Sequence, residues 1–338
     1  MLGEEANMKT DRKRFTCRSG WAVAMALVAC LGVGNTQAQD WPSKPVRIVV
    51  GGPAGGTADA LARLVAEGLG QATGKPVIVE AKPGAAGAIA VNELQKSPHD
   101  GHTLLLIQGG IVTETPQAYK VTYKPFADLK PLVQVSRQGL ILVGNVDLPP
   151  KNLKELVPYI KAQKGGMDYA SYASGMRGHT SGVQFARLAK VELKHVGYKG
   201  SPPALQDVMG GHVPLMFDGP ATALPLIKAG KVKAYAVNFP VRISALPDVP
   251  TFSELGYPAL SEVGWMGLWS TMDLPPAVQS KVRELTLQYL QQAKVRQRIE
   301  AMGMEAGLPL TVDELAKDLR AGYERQGELL RSIHYTPE

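Results

Sequence analysis

The stretch that most constrains the fold runs from Val46 to Leu69. A nearly all-apolar run, Val46–Val50, meets the glycine-rich GGPAGGTAD of residues 51–59, and apolar residues then recur at helical spacing as Leu61, Leu64, Val65 and Leu69. A strand this apolar needs cover on both faces. A helix that follows it through a tight turn supplies such cover, which predicts a mostly parallel sheet wrapped by helices. The pattern continues: Val77–Glu80 and Thr103–Ile107 read as strands, with a small-residue helix over 85–95 between them.

A second region repeats the alternation. Strands are expected at Gly139–Asn145, Asp168–Ser171, Lys194–Tyr198, Val213–Asp218 and Val232–Asn238. Between them lie helices over 152–164 (kinked by Pro158), over 178–188, from Ser201-Pro202 with Ser201 as N-cap, and over 221–229 up to Gly230. Beyond Pro240 come a proline-rich stretch, an extended 264–270 and two helices, 275–302 and 311–332. The second opens on a capping box in Thr311-Val312-Asp313-Glu314. The expectation is an α/β protein of two similar lobes, residues 39–137 with 239–338 and residues 138–238, crossing near 135–138 and 238–241. A cleft between such lobes is the expected ligand site.

The 338 residues, 45% of them hydrophobic, can fill two cores. Net charge is +7, but the basic residues are spread along the chain and only 6% of it is aromatic, which disfavours a nucleic-acid groove and suits attraction for anions. Residues 1–38 have the layout of a secretory signal peptide. Lys9, Arg12, Lys13, Arg14 and Arg18 precede an apolar Trp21–Val33 and a small, polar run to Ala38, with Met8 the natural start of such a leader. Cleavage after Ala38 is the expectation. Leu27-Val28-Ala29-Cys30 also resembles a lipobox, and processing there would instead leave a lipid on Cys30. Both cysteines, Cys17 and Cys30, precede the Ala38 boundary, so an exported chain cut there has no disulfide, thiol nucleophile or thiolate metal site.

Specific runs then add up: WPSKPVRIVV (41–50), the glycine loop with Asp59, VIVEAKPGAAGAIA (77–90), HDGHTLL (99–105), YAS (169–171), VGYKGSPPALQDVMGG (196–211), MFDG (216–219), ALPLIKAGKVKAYAV (223–237) and ALPDVPT (245–251). Together they resemble the tripartite tricarboxylate transporter substrate-receptor family, also called the Bug family, over nearly the whole exported chain. The resemblance implies a two-lobed, venus-flytrap periplasmic-binding-protein fold with two mixed or parallel sheets and a hinge. It implies no catalysis and no cofactor, a small organic acid as ligand, and a partner of two integral-membrane transporter subunits or, in its place, a sensing role. A monomer that binds no nucleic acid is expected.

The candidate site follows from both readings. Gly52, Pro53, Ala54, Gly55 and Gly56 let backbone approach a ligand, and the helix from Thr57 and Asp59 turns unpaired N–H groups and a positive dipole end toward it. The alternative is a tight turn that binds nothing. In the family this loop meets the ligand carboxylate largely through backbone and ordered water; Gly51-Gly52 here stand where a proline and an aromatic residue are common. The second lobe offers a mirror arrangement, with Ser171, Ser174, Gly175, His179 and Thr180 at another helix start, where capping of that helix is the competing reading of Ser174 and Thr180. The backbone N–H groups near Gly175 to His179 could hold a second carboxylate. Tyr172 and the cationic Arg177 depart from the family's smaller, neutral residues there, and Arg177 reads first as a solvated loop side chain, with a bidentate contact to a carboxylate as the alternative. Tyr198, Lys199 and Gly200 lie at the cleft by family position. Asp218 either accepts from the ligand or caps the next turn, and Gln108 with Gly109 completes the rim.

Enzymatic readings are weaker. His99 and His102 flank an Asp-Gly turn, and His179, His195 and His212 are scattered, with none at zinc-ligand spacing. Asp59 with His179 across a cleft would lack a nucleophile. An exported α/β hydrolase or isomerase acting on a small organic acid remains the alternative, and it predicts turnover of bound ligand. The effector half of a transcriptional regulator would need a DNA-binding segment where the export signal lies.

Overall fold

The computed structural model describes residues 41–337; the signal-peptide, Ala38 and Cys30 readings fall outside them. Strand β1 (Val46–Val50) is buried along nearly its whole length, and helix α1 (Thr57–Thr73) covers it with Leu61, Leu64, Val65 and Leu69. Next come β2 (Val77–Ala81), α2 (Ala88–Lys96), β3 (Thr103–Gln108) and β4 (Leu129–Gln138), which leads within two residues into β5 (Ile141–Asn145). The alternation resumes as α3 (Leu153–Ala162), β6 (Met167–Ser171), α4 (Arg177–Ala189), β7 (Leu193–Gly197), α5 (Ser201–Met209), β8 (Leu215–Asp218), α6 (Pro220–Lys228) and β9 (Val232–Val237). The chain closes with β10 (Gly264–Thr271), α7 (Pro276–Leu290), α8 (Ala293–Ala301), β11 (Glu305–Ala306) and α9 (Val312–Ser332).

Two mixed sheets result, β11-β4-β10-β3-β1-β2 and β7-β6-β8-β5-β9. Each holds a parallel trio: β1 lies between β2 and β3, and β6 lies between β7 and β8. Each trio is then bordered by an antiparallel strand, β10 against β3 and β5 against β8. Helices pack on both faces of both sheets, giving four apolar clusters. The fold is thus the expected two-lobed α/β architecture.

The crossings are knotted at Asn238, which is almost wholly buried. Its N–H donates to Leu140 O (2.9 Å), its Oδ1 accepts from the Leu140 N–H, its Nδ2 donates to Ser181 Oγ (3.1 Å), and its carbonyl accepts from Glu262 N (3.0 Å). One side chain therefore ties the outgoing strand, the returning strand and helix α4. The return itself comes later than 238–241. Phe252, Tyr257 and Leu260 pack with the second lobe's Phe185 and Phe217, and Ile243 and Leu246 join that lobe's other face.

Four local expectations differ from the structure. The helix expected from residue 85 begins at Ala88, because Gly84 to Gly87 all take positive φ and form a separate 3₁₀ turn. Ser201 is not the N-cap of α5; Gly200 is, and the Ser201 hydroxyl donates to Asp218 Oδ1 at 2.5 Å. The helix expected over 275–302 breaks at Gln291-Gln292. A continuous helix would turn Val295 and Ile299 roughly 140° and roughly 100° away from Val282, whereas the break lets all three be buried in one core. β4 is a strand where the sequence shows only a crossing near 135–138. Polar Lys130, Gln134 and Ser136 and the internal Pro131 hide a ten-residue strand there, with β10 and β11 on its two sides.

Candidate functional site

Both sheets turn the C-terminal ends of their parallel strands toward one cleft of about 340 Å³. The first lobe supplies the loop after β1 (Gly51 to Ala58), the Pro83–Gly87 turn after β2, and Gln108 at the end of β3. The second lobe supplies Tyr172 to Ser174 and Arg177 after β6, Gly197 to Pro202 after β7, and Gly219 after β8. Gln138 and Leu140 of the crossing, Met266 and Tyr119 complete the wall. The mouth is narrow: a Cβ on Gly200 would stand 3.0 Å from Pro53 Cγ of the opposite lobe.

The α1 terminus is built to face that space. Gly56 caps it with extended backbone and no side-chain hydrogen bond, so the first N–H groups of the helix have no intrahelical acceptor. Asp59, expected to touch ligand, turns back instead. Its Oδ2 accepts from Gly55 N (3.1 Å) and its carboxylate pairs with Arg63, which holds the glycine loop in shape. The α5 and α6 starts, at Gly200 and Gly219, also border the cleft without a side-chain cap. Gly219 lies against Thr57, its absent Cβ 3.3 Å from Thr57 Oγ1, so α1 and α6 begin side by side from opposite lobes.

The mirror terminus in the second lobe is occupied by the protein itself. Arg177 N, at the start of α4, donates to Glu114 Oε2 at 2.8 Å, and Gly175 N donates to His179 Nδ1 at 3.0 Å. Burial pushes the Glu114 carboxyl up to about 7 despite Arg177 beside it. His179 stacks on His195 with ring centroids 3.8 Å apart, and burial lowers the pair to about 4 and about 3, so both rings are neutral at pH 7. Ser171 Oγ lies 2.6 Å from His195 Nε2 and 3.0 Å from Ala173 O, and Thr180 Oγ1 turns to the carbonyls of its own helix. Asp218 is fully buried, accepting from Ser201 and Thr222, and burial raises it to about 6.

Of the residues read from sequence, Gly52, Pro53, Gly56, Thr57, Gln108, Ser174, Tyr198, Lys199 and Gly200 come together on the cleft wall. Asp59, Ser171, Gly175, His179, Thr180 and Asp218 are buried and stand behind it, Ala54 and Gly55 are exposed and lie off the wall, and Gly109 borders a smaller cavity. Tyr198 lines the cleft while its hydroxyl donates to Asp207 at 2.5 Å. The Pro83–Gly87 turn, Gln138, Tyr172, Gly219 and Met266 were not singled out as site residues, though the Pro-Gly pair directly after a strand was a usable signal for the first. Arg177, read as solvated, is 8% exposed and lines the wall.

Electrostatically the wall is one-sided. Among the described residues that line it, the fully charged side chains are Arg177 and Lys199, both cationic, and they add to the positive end of α1; the α5 and α6 starts carry prolines and have the buried Asp218 carboxylate beside them. Such a wall attracts an anion and repels a cation. No group of three or more metal-ligating side chains is found among the described residues, and no described helix is long and apolar enough to cross a membrane.

Known proteins give the same picture. Residues 61–334 match the family described as the tripartite tricarboxylate transporter family receptor. A protein of Agrobacterium vitis, from the TAR-I ttuE-ttuC' intergenic region, is 33% identical over 83% of this chain and 82% of its own. Among solved structures, Rpa4515 of R. palustris with adipate superposes with a TM-score of 0.84 at 27% identity, over 88% of this chain and all of that one. MatC of Rhodopseudomonas palustris with bound malate superposes with a TM-score of 0.79 at 29% identity, over 86% of this chain and all of that one.

Proposed function

The chain belongs to the tripartite tricarboxylate transporter receptor family, and from that premise we propose that it is a periplasmic receptor for a small carboxylate-bearing solute, not an enzyme. One observation carries the choice of ligand: among the described residues, the cleft between the lobes is walled by the uncapped start of α1 and by cations alone among its charged side chains. Adipate and malate, held by two structural neighbours, are both small organic acids.

In this reading the ligand carboxylate sits before α1, accepting from the N–H groups of Thr57 and Ala58. Gly52 and Gly56 give it close access to backbone, and Ser174, Lys199 and Gly200 approach from the facing lobe. Closure around Asn238 excludes water, which strengthens each of these hydrogen bonds. The working unit is a monomer that hands its ligand to a two-subunit membrane transporter, or reports it to a sensor.

The test is a thermal-shift and calorimetric screen of the exported chain against mono- and dicarboxylates, amino acids and aromatic acids, each beside its neutral amide. Carboxylates are expected to raise the melting temperature and the amides to leave it unchanged. Binding restricted to neutral or cationic solutes overturns the proposal.

A further inference from the structure

The end of the second lobe away from the cleft carries a charge pattern that ligand binding does not use. Strands β6, β7 and β8 run with their C-terminal ends at the cleft, and β9, antiparallel to β5 as β8 is, shares their direction. The starts of β6, β7 and β9, and the ends of α3, α4 and α6 that lead into them, therefore gather at the opposite pole. Lys161 and Lys164 lie there at the end of α3, Lys190 and Lys194 where α4 passes into β7, and Lys228 and Lys231 where α6 passes into β9. All six are exposed. Since β7 and β9 are the two edges of the sheet, the lysines span its whole width, about 20 Å for five strands.

Few acids balance them. On the same turns and strand starts the exposed acids are Asp147, Asp168 and Glu192, set against the six lysines and Arg187 in the last turn of α4. Among the described residues, none of these seven cations has a carboxylate within ion-pair distance. At the corresponding end of the first lobe, by contrast, Lys44 pairs with Asp100 at 3.0 Å and His99 with Asp273 at 2.7 Å. A helix dipole favours cations in the last turn, which accounts for Lys161, Arg187 and Lys228. It does not account for Lys164, Lys194 and Lys231, which lie beyond the helices.

We propose that this pole is a docking face for an anionic phospholipid bilayer, on which the receptor rests through headgroup phosphates. Side-chain chemistry favours lipid over protein as the occupant. Protein interfaces are rich in aromatic residues, Met and Arg and poor in Lys, whereas a fluid layer of phosphates is met by mobile, hydrated point charges, which lysine supplies. Docking there leaves the cleft, at the other end of the same strands, open to ligand. A receptor held this way meets a membrane-embedded partner by moving along the surface.

Cosedimentation with vesicles of phosphatidylglycerol or of phosphatidylcholine tests the proposal at about 0.01 M and about 1 M salt, where the screening length is about 30 Å and about 3 Å. Wild type should pellet with phosphatidylglycerol at low salt only, and with phosphatidylcholine at neither. On phosphatidylglycerol, amine acylation read by mass spectrometry should be suppressed at the six pole lysines and unchanged at the exposed Lys281 and Lys317 of the first lobe, a result that needs no variant. K164E/K194E/K231E should lower the partition coefficient at least about tenfold. K124E/K281E/K317E, equal in charge but placed on the first lobe, should lower it less than about threefold. Failure to bind phosphatidylglycerol, uniform protection of the lysines, or equal losses in the two folded variants overturns the proposal. So does binding to native membranes that is abolished by protease treatment of those membranes while phosphatidylglycerol vesicles hold nothing, which would assign the pole to an acidic protein.

Discussion

Two helix termini that look alike in sequence, at Thr57 and at Arg177, are used in opposite ways. Both follow a parallel strand through a glycine-containing loop, and both begin without a side-chain cap from their own N-cap residue. At Thr57 the first turn borders the open cleft. At Arg177 a carboxylate from the other lobe, Glu114, already accepts from the first N–H, and Gln326 donates to Gly175 O just before it (2.9 Å). A helix start is therefore open to an external anion only where no carboxylate of the fold accepts from its first N–H groups; Asp59, in the first turn of α1, accepts from Gly55 N instead. The filled terminus acts as an inter-lobe contact; the empty one faces the cleft.

The strongest way to break this contrast is to give α1 an acid at its N-cap. Gly56 has φ −79° and ψ 171°, which an N-cap aspartate adopts without strain. G56D should fill the free N–H groups and set a negative charge where the ligand carboxylate belongs. Like charges about 4 Å apart at an effective dielectric of about 20 repel by roughly 4 kcal/mol, so calorimetry should record a loss of affinity of about a hundredfold or more. Folding stability should change by less than about 1 kcal/mol, because the cap's gain is set against a new Cβ 3.1 Å from Pro53 O. G56N, a cap without the charge, should fall between G56D and wild type. Unchanged affinity in folded G56D would mean that the carboxylate does not bind at this terminus.

The converse change is E114Q, read through stability against pH. Glu114 is raised from 4.5 to about 7, chiefly by burial, so its contribution is fully present below about pH 4.5 and is lost as pH rises through 7. The loss is on the order of 3 kcal/mol. Urea melts at pH 4.5 and pH 8 should show that slope in wild type and a shallower one in E114Q. Asp218, raised to about 6 by burial, keeps part of the slope with the same sign. His179 and His195, lowered by burial, act the other way: their contribution is present above about 6.5 and is lost as pH falls toward 4 and 3. Comparing the two proteins at each pH cancels these terms. An identical slope in E114Q would show that the acid at α4 is not strained by its burial.

Why only one of these termini was legible follows from where the information lies. The β1 loop and α1 are local: Val46 to Leu69 specify strand, turn and helix through apolar spacing and glycine, and the structure places them as read. The partner of Arg177 is Glu114, 63 residues away and in the other lobe, and no local pattern marks that meeting. Likewise, Ser201 looks like a cap in its own dipeptide, yet Asp218 on β8 draws its hydroxyl away. The lobes were readable because hydrophobic alternation is a short-range signal. The return crossing was misplaced because Phe252 and Leu260 show their allegiance only through packing on Phe185 and Phe217. Site residues at strand ends could be guessed, whereas those on the crossing, such as Gln138, needed the fold.

Smaller effects sharpen how the open terminus is held. Asp59 supports the glycine loop from behind, and D59A removes the acceptor of the Gly55 N–H and the partner of Arg63. Since Arg63 is largely exposed, its ion pair adds little, and the lost hydrogen bond governs the outcome. Affinity should fall about three- to tenfold, with faster hydrogen exchange at the Gly55 amide. A drop as large as that of G56D would place the Asp59 carboxylate among the ligand's direct contacts.

Lys199 should matter least. It lines the wall but is exposed, so its effect reaches the ligand through water and falls with ionic strength. K199Q should cost less than about threefold in affinity at low salt and nothing measurable at about 1 M, where the screening length shrinks to about 3 Å. The salt series separates two roles that a single affinity would confuse. A loss that persists undiminished at high salt would mean that the ammonium bonds the carboxylate directly, and the anion would then be shared between the lobes instead of belonging to α1.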